Sequence, residues 1–397
     1  MLTFRKICLW GSGLALLILL AGLGLRNGGL WQPAALAFSV CLAVGMGALP
    51  RWAGYQYTAW IVTAVVAGML YPAAFSHWGF VDLRNKWLVL VVVQLVMFGM
   101  GTQMRLRDFT SLAGTGKGVL IGLACHFSVM PLMGYLLTRV FHFDPEIAAG
   151  IILIGSCSSG LASNVMVYIA RANLTLSVAV TAMATLVAPF FTPLLMKLLA
   201  GTYIHVKFGD MMLEIVKIVL LPIGAALLLD YLNWASSRVG RRVIGVMPYI
   251  SMAGIVYFTT VTTAAGRDNL LHVGLLLFLA SVIHNAAGYF FGYWLSRLFR
   301  LDKNAARTVA FEVGLQNGGM ASGLAGSMGK LGTVGLAAAV FSPWMNISGS
   351  ILANYWRNRP AEGRFRPVED LNEPAKGQDG CEPGDQPLPA SASSQPL

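Results

Sequence analysis

TVAFEVGLQNGGMASG, residues 308–323, places an acid, two amides and four glycines inside a long apolar part of the chain. Glu312 and Gln316 are four residues apart, so a helix would carry them on one face. A charge at the centre of a bilayer costs about 2.5–3.5 kcal/mol, and each glycine weakens a helix by roughly 1 kcal/mol relative to alanine. Breaks in membrane helices are tolerated where the freed carbonyl groups line a cavity. The stretch therefore predicts a broken membrane helix whose carboxylate, amide and carbonyl oxygens surround a hard cation.

A simpler interpretation of Glu312 remains open at this point. Arg307 precedes it by only five residues, so the acid could lie at the start of a helix beside the cytoplasmic headgroups. Its neighbours argue for the cation site, because an isolated headgroup acid has no need of amides and glycines nearby.

The composition is that of an integral membrane protein. The 397 residues are 56% hydrophobic and only 11% charged, whereas soluble domains carry about a quarter charged residues. The mean hydropathy is +0.66. Apolar runs of about 17–25 residues, each long enough to cross a bilayer as a helix, recur along the chain. Twelve candidate spans cover residues 7–25, 31–49, 55–72, 86–104, 118–141, 146–170, 174–200, 211–232, 246–265, 270–296, 305–328 and 331–356. The sequence therefore predicts an all-α polytopic membrane protein.

The two ends of the chain differ in character. Arg5 and Lys6 precede the first apolar run, as in a secretory signal, but this run is long and a second follows at once. We therefore expect a retained helix, with a cleaved signal as the alternative. Residues 358–397 are rich in Pro, Gly, Ser, Asp and Glu and carry almost no large apolar side chain, which predicts a disordered tail.

The basic residues indicate the orientation. With the N-terminus inside, the cytoplasmic loops hold more Lys and Arg residues than the outside loops, as the positive-inside rule requires. They are Arg51, Arg105, Arg107, Lys117, Arg171, Arg238, Arg241, Arg242, Arg297, Arg300, Lys303, Arg307, Arg357 and Arg359. Both termini are thus expected to be cytoplasmic, in a bacterial inner (plasma) membrane. The net charge of +11 is attributed to contact with anionic membrane lipid and not to nucleic acid.

A second interrupted segment lies in the first half of the chain, between Gly155 and Pro193. Glycine and three serines interrupt the span 146–170, and Ser163 and Asn164 follow. The next span supplies Ser177 and Thr181, four residues apart and therefore on one helical face. Hydroxyls in apolar helices often bond only to their own backbone, which is the alternative for each of these two alone. Two interrupted spans at matching places in two halves indicate a transporter with internal repeats.

Five stretches together resemble the bile acid:sodium symporter family. They are ASNVMVYIARANLTLSVAVT (162–181), IVKIVLLPI (215–223), HNAAGY (284–289), EVGLQNGG (312–319) and NISGSILANYW (346–356). The resemblance implies ten helices in two inverted five-helix repeats, a panel domain, a core domain and two crossing interrupted helices. The implied organisation is two additional helices over 1–50, repeats over 51–201 and 202–357, a tail over 358–397, a panel of about 55–104 and 211–265, and a core of about 115–200 and 270–356.

The resemblance also implies ion sites. A first sodium site matches five side chains, those of Ser163, Asn164, Ser177, Thr181 and Glu312. A second would use Glu312 with Val313, Leu315, Gln316 and the position of His126. Here the chain departs from the family, because HFSVMP (126–131) carries His126 where glutamine is usual.

Imidazole is a poor ligand for a hard alkali ion, so the second site is predicted to be weak, absent or proton-linked. The other interpretation is that His126 is a hydrogen-bonded core residue. His284 is expected to be structural.

The substrate implied by the resemblance is a small organic anion, either bile-acid-like or a small carboxylate. An anionic group would meet the backbone amides of Leu161 and Ala162 at the restart of the first broken helix, where the helix dipole favours negative charge. Asn317 and Asn346 match polar positions that line the family cavity. SSGLASN (158–164) lacks the hydroxyl residue that the family usually has at position 161, so the cavity is expected to be more apolar.

The predicted function is sodium-coupled symport of an organic anion by alternating access, with no enzymatic activity and Na⁺ as the coupling ion. A proton-coupled or sodium-independent carrier of the same fold is the alternative. An intramembrane serine hydrolase, in which Ser158 or Ser159 would meet His126 or His284, is the alternative of another class. The sequence leaves the substrate, the oligomeric state and the role of the two extra helices open.

Overall fold

The computed structural model describes residues 2–49, 52, 55–79, 81–106, 112–234 and 237–359. The tail predicted to be disordered, 358–397, lies outside the described residues except for its first two. In chain order the helices are α1 (Leu2–Gly24), α2 (Gly28–Gly45), α3 (Gln56–Leu70), α4 (Lys86–Gly101), α5 (Leu112–Phe141), α6 (Pro145–Ser156), α7 (Ala162–Ile169), α8 (Leu174–Leu195), α9 (Phe208–Ile215), α10 (Leu221–Tyr231), α11 (Arg238–Ala265), α12 (Arg267–Leu298), α13 (Lys303–Gly314), α14 (Gly318–Ser327) and α15 (Leu336–Arg357).

Eight helical stretches of the described chain are long and apolar enough to cross a membrane. They are Leu2–Gly24, Gly28–Ala48, Gly116–Phe141, Leu174–Ala200, Phe208–Tyr231, Arg238–Ala265, Arg267–Leu298 and Leu336–Arg357. The other four predicted spans are present in a different form. Two are the shorter helices α3 and α4, of 15 and 16 residues. The remaining two are split into α6 with α7 and α13 with α14.

Both splits occur where the sequence weakens the helix. After α6 the backbone becomes extended at Cys157, with φ −73° and ψ 161°, and the chain turns helical again at Ala162. After α13 the backbone becomes extended at Leu315, with φ −110° and ψ 92°. Asn317 then caps α14 by accepting a hydrogen bond from the amide of Met320. The predicted interruption of both spans is confirmed.

One element departs from an all-helical chain. Residues His77–Trp78 (β1) and Val81–Asp82 (β2) form a short antiparallel pair between α3 and α4. Gly79 supplies the left-handed backbone conformation of this turn, with φ +57°. The run is too short to have a clear period-2 pattern, which is why the sequence did not reveal it.

The helices pack in two sets with a shared boundary. In one set, α11 packs against α3 and α4, and α4 packs against α10; in the other, α5, α6, α8, α12 and α13 pack together. The pair α1 and α2 contacts the first set through α3. This packing is compatible with the predicted panel and core, while the inverted repeats remain a prediction.

Helix α14 meets α4 at the boundary between the two sets, and small residues let them approach closely. A Cβ atom added at Gly323 would lie 2.6 Å from Val93 Cγ2, and one added at Gly326 would lie 2.4 Å from Val89 Cγ1. Real Cβ atoms do not approach this closely, so the glycines allow helix–helix contact that side chains would prevent. The boundary is therefore close-packed.

Candidate functional site

The two interrupted helices meet at their breaks. Ser159 and Gln316 form an isolated antiparallel bridge. The amide of Gly160 donates to the Leu315 carbonyl at 3.0 Å, and the amide of Asn317 donates to the Ser158 carbonyl at 2.8 Å. Backbone groups that would be unpaired at a helix break therefore satisfy one another across the crossing.

Helices α8 and α13 are held in register next to this crossing. Thr308 Oγ1 accepts a hydrogen bond from the Asn173 amide at 3.0 Å. Ser177 lies four residues after Asn173, and Glu312 lies four residues after Thr308, so one further turn along each helix brings these two side chains face to face. This contact is the physical reason that Ser177 and Glu312 meet.

Glu312 is the centre of an oxygen cluster and is fully buried. Ser177 Oγ lies 2.5 Å from Glu312 Oε1, and Thr181 Oγ1 donates to Glu312 Oε2 at 2.8 Å. Asn164 Oδ1 lies 2.7 Å from Ser177 Oγ, and Ser163 Oγ lies 3.4 Å from Thr181 Oγ1. The structure thus brings together all five side chains predicted for the first sodium site.

The cluster has more oxygen lone pairs than protons. Ser177 has a single hydroxyl proton, yet its oxygen lies within 2.7 Å of both Glu312 Oε1 and Asn164 Oδ1, which are acceptors. Within the described part of the chain, no basic side chain forms an ion pair with the Glu312 carboxylate. A buried carboxylate without a compensating positive charge is unfavourable even when hydroxyls donate to it, so a cation that binds these lone pairs would stabilise the cluster. Hydroxyl, amide and carboxylate oxygens suit a hard cation such as sodium.

His126 on α5 lies between the two breaks and is fully buried. Its Nδ1 is 3.0 Å from the Glu312 carbonyl oxygen, and its Nε2 is 2.8 Å from the Cys157 carbonyl oxygen. The imidazole therefore bridges the end of α13 to the end of α6. The structure places it beside the proposed second site, in contact with backbone oxygens.

The other residues predicted for the second site are close together, but their oxygens have protein partners. The Val313 carbonyl accepts from Gln316 Nε2 at 2.7 Å. The Leu315 carbonyl accepts from Gly160 and from Ser159 Oγ. Gln316 Oε1 is buried and has no hydrogen-bond partner. One amide oxygen is therefore the only side-chain acceptor left over among these described residues.

The predicted substrate residues divide into two groups. Leu161 and Ala162 lie at the start of α7, and within the described residues their amides donate to no backbone carbonyl, which leaves them available to an anion. Asn317 uses its oxygen to cap α14, and its Nδ2 lies 3.8 Å from Met100 Sδ of α4. Asn346 Nδ2 donates to the Ser342 carbonyl of its own helix at 2.9 Å. Asn346 is thus held by its own helix.

Two polar residues that were predicted for neither the ion sites nor the substrate site belong to this region. Ser159 Oγ donates to Ser163 Oγ at 3.2 Å and so extends the hydroxyl cluster. Asn285 Nδ2 donates to the Gly314 carbonyl at 2.8 Å and caps the end of α13. HNAAGY (284–289) and SSGLASN (158–164) contain these residues, but sequence spacing alone does not show that they face a helix break. His284 Nε2 donates to the Met130 carbonyl at 2.9 Å, which fits a structural role.

Comparisons with known proteins show the family of the chain. The sequence profile described as the Sodium Bile acid symporter family matches residues 90–273. The "Uncharacterized sodium-dependent transporter YocS" of Bacillus subtilis (strain 168) is 35% identical over 315 residues, which cover 78% of this chain and 94% of that protein. The "Probable sodium/metabolite cotransporter BASS1, chloroplastic" of Arabidopsis thaliana is 32% identical over 298 residues, which cover 75% and 72%.

A human relative is more distant. The "Ileal sodium/bile acid cotransporter" of Homo sapiens is 27% identical over 237 residues, which cover 58% of this chain and 66% of that protein. These relatives are named as transporters and cotransporters, and not as enzymes. Taken with the crossing of two broken helices, these similarities establish that the chain is a multi-pass membrane protein that belongs to the sodium bile acid symporter family of sodium-dependent transporters.

Proposed function

We propose that this protein is a secondary active transporter that imports a small organic anion together with sodium by alternating access. The observation that carries the proposal is the buried Glu312 carboxylate, which two hydroxyls contact at 2.5 and 2.8 Å. The oxygens of this cluster have more lone pairs than there are hydroxyl protons to bond them. Membership of a family whose relatives are named sodium cotransporters supports the same ion.

The proposed mechanism follows from the charge of the site. Sodium binds among Ser163, Asn164, Ser177, Thr181 and Glu312, and its charge compensates the buried carboxylate. Because α7, α8 and α13 each contribute ligands, the bound ion stabilises one arrangement of the three helices. An anion then binds the amides of Leu161 and Ala162, with Asn317 and Asn346 on the cavity wall. Coupling requires both ligands to favour the same state.

Transport measurements in liposomes test this proposal. Purified protein is first screened for thermal stabilisation by bile-acid-like anions and small carboxylates, with and without sodium. Uptake of a stabilising anion is then measured under an inward sodium gradient or under an inward proton gradient. We expect accumulation with the sodium gradient only. Accumulation with the proton gradient, or equal flux without either, would instead support the proton-coupled or sodium-independent carrier.

The geometry gives little support to a serine hydrolase. Ser158 Oγ contacts Met320 Sδ, and Ser159 Oγ contacts Ser163. The ring nitrogens of His126 face two carbonyl groups and not a serine hydroxyl. A nucleophilic serine needs a base within hydrogen-bond reach, and the described contacts contain no such pair. Absence of labelling by a serine-reactive probe is the expected result.

Removing either hydroxyl that touches Glu312 should weaken sodium binding. Hydrogen bonds to charged groups contribute about 1.5–3 kcal/mol, so Ser177→Ala and Thr181→Ala should each raise the half-saturating sodium concentration about tenfold or more. The measurement is the sodium dependence of the melting temperature. Ser128→Ala is the matched control, because Ser128 is exposed and bonds to its own helix at Ala124. Equal sodium affinities in all three variants would show that the Ser177 and Thr181 hydroxyls do not contribute to sodium binding.

The orientation is part of the proposal. The positive-inside pattern supports cytoplasmic termini in a bacterial inner membrane. Cysteine accessibility at Arg84→Cys, in the loop before α4, and Arg300→Cys, in the turn after α12, tests this placement, since the two sites should react from opposite sides.

A further inference from the structure

We infer that this transporter binds one sodium ion and not two, because His126 and neighbouring donors take up the oxygens that a second ion between the helix breaks would need. The inference rests on the proposed sodium-coupled function. It concerns a different feature, the number of ions, and it follows from the hydrogen-bond partners of each carbonyl group at the two breaks.

Among the described residues, each carbonyl from Ser156 to Ser158, at the break after α6, has a polar side-chain or backbone group against it. Thr192 Oγ1 donates to the Ser156 carbonyl at 2.7 Å. His126 Nε2 contacts the Cys157 carbonyl at 2.8 Å, and the Asn317 amide donates to the Ser158 carbonyl at 2.8 Å. Each oxygen that the helix end would otherwise expose therefore faces a polar hydrogen or ring nitrogen.

The break after α13 is capped in the same way. His126 Nδ1 contacts the Glu312 carbonyl at 3.0 Å, Gln316 Nε2 donates to the Val313 carbonyl at 2.7 Å, and Asn285 Nδ2 donates to the Gly314 carbonyl at 2.8 Å. The Leu315 carbonyl accepts from the Gly160 amide. The amide donors point the positive ends of their dipoles at the oxygens, in the place that a cation would take. A neutral imidazole has one N–H, so His126 donates to one of its two carbonyls, and the ring itself fills the space beside the other.

A hard cation is held by several converging oxygens, about six or more for the divalent ions of proteins. At the crossing, the buried side-chain oxygen without a partner is Gln316 Oε1. The single oxygen of Gln316 is not enough to hold a second sodium ion. The residues present therefore do not fit a second sodium, whereas the cluster around Glu312 has an excess of lone pairs and a full negative charge.

His126 links the two broken helices, as an ion bound between them would. It is fully buried, and the two carbonyl groups that it contacts belong to different broken helices. The edge-on contact with Phe127, at 5.0 Å between ring centroids, further restricts the imidazole. With one sodium per cycle, symport of a monovalent anion moves no net charge.

Counting bound ions tests the inference directly. Equilibrium binding of radioactive sodium to the purified full-length protein should saturate at one ion per protein, and the sodium dependence of the melting temperature should have a Hill coefficient near 1. His126→Gln removes the ring from the Glu312 and Cys157 carbonyls and adds an amide oxygen, so that with Gln316 Oε1 four oxygens become available to an ion. We expect this variant to bind two ions, with a Hill coefficient above 1.

His284→Gln is the matched control, because His284 is an equally buried histidine whose ring bonds to the Met130 carbonyl and to no carbonyl of either break. It should keep the count at one. Two ions on the wild-type protein, or an unchanged count in a folded His126→Gln protein, would overturn the inference. Because the wild-type count needs no variant, the test survives if His126→Gln does not fold. No bound sodium at all would instead refute the proposed function.

Discussion

Glu312→Ala is expected to abolish sodium-driven uptake and to remove the increase in melting temperature that sodium causes in the wild-type protein. The carboxylate is the one full charge in a cluster that is otherwise made of hydroxyl and amide dipoles. Removing one partner of a buried charge pair typically costs about 3–5 kcal/mol, which corresponds to a loss in sodium affinity of more than about 100-fold. Uptake in liposomes and melting curves with increasing sodium measure the two effects.

The same variant separates ion binding from folding. Without sodium, the buried carboxylate is itself unfavourable, so the alanine variant should melt at the same temperature as the wild-type protein or higher. Glu214→Ala is the control. This partly exposed acid lies on α9 and pairs with Lys217, which follows the end of that helix, away from the cluster. Sodium-driven uptake that persists in Glu312→Ala at the wild-type rate would refute the proposed site.

Gly323→Leu is expected to slow transport strongly while sodium binding continues. The Cβ atom alone would come within 2.6 Å of Val93 Cγ2, at the boundary where α14 packs on α4. Overpacking of this kind costs about 1–3 kcal/mol, and alternating access requires the two sets of helices to move against each other. A difference of that size between two states changes their ratio about 5- to 150-fold. Uptake should fall accordingly, with the sodium-dependent rise in melting temperature retained.

Gly274→Leu provides the matched control, since a Cβ atom there meets no heavy atom within 4 Å. It should transport at the wild-type rate. A Gly323→Leu protein that is stable and transports normally would show that no movement occurs at this boundary. Loss of both uptake and sodium-dependent stabilisation would indicate that the substitution disturbs the whole core and not only the movement.

The membrane class and both interrupted spans could be predicted from the sequence, because hydropathy and helix-weakening residues act locally. Gly314 and the paired glycines at 318 and 319 mark a helix that cannot continue, and the structure ends α13 at Gly314. The prediction that Ser177 and Thr181 share a face also needed only the helical period. Helix lengths were less predictable, as α3 and α4 are shorter than the spans assigned to them.

His126 illustrates what local rules cannot supply. Its sequence context permits a weak ion ligand, a proton carrier or a core residue. Only the tertiary structure places its two ring nitrogens against carbonyls of Glu312 and Cys157, which are 186 and 31 residues away in sequence. Asn285 and Ser159 were missed for the same reason, since each acts on a helix break that a different part of the chain provides.

By itself, the sequence determined that this chain lies in a membrane and where its helices break, and it singled out the acid of the proposed cation site. These properties depend on the free energy of placing a side chain or a peptide group in hydrocarbon, and that free energy is set residue by residue. The tertiary structure decided which oxygens converge on Glu312 and which are already capped. Convergence depends on the packing of helices that are distant in sequence, and the number of free oxygens is a property of the whole crossing.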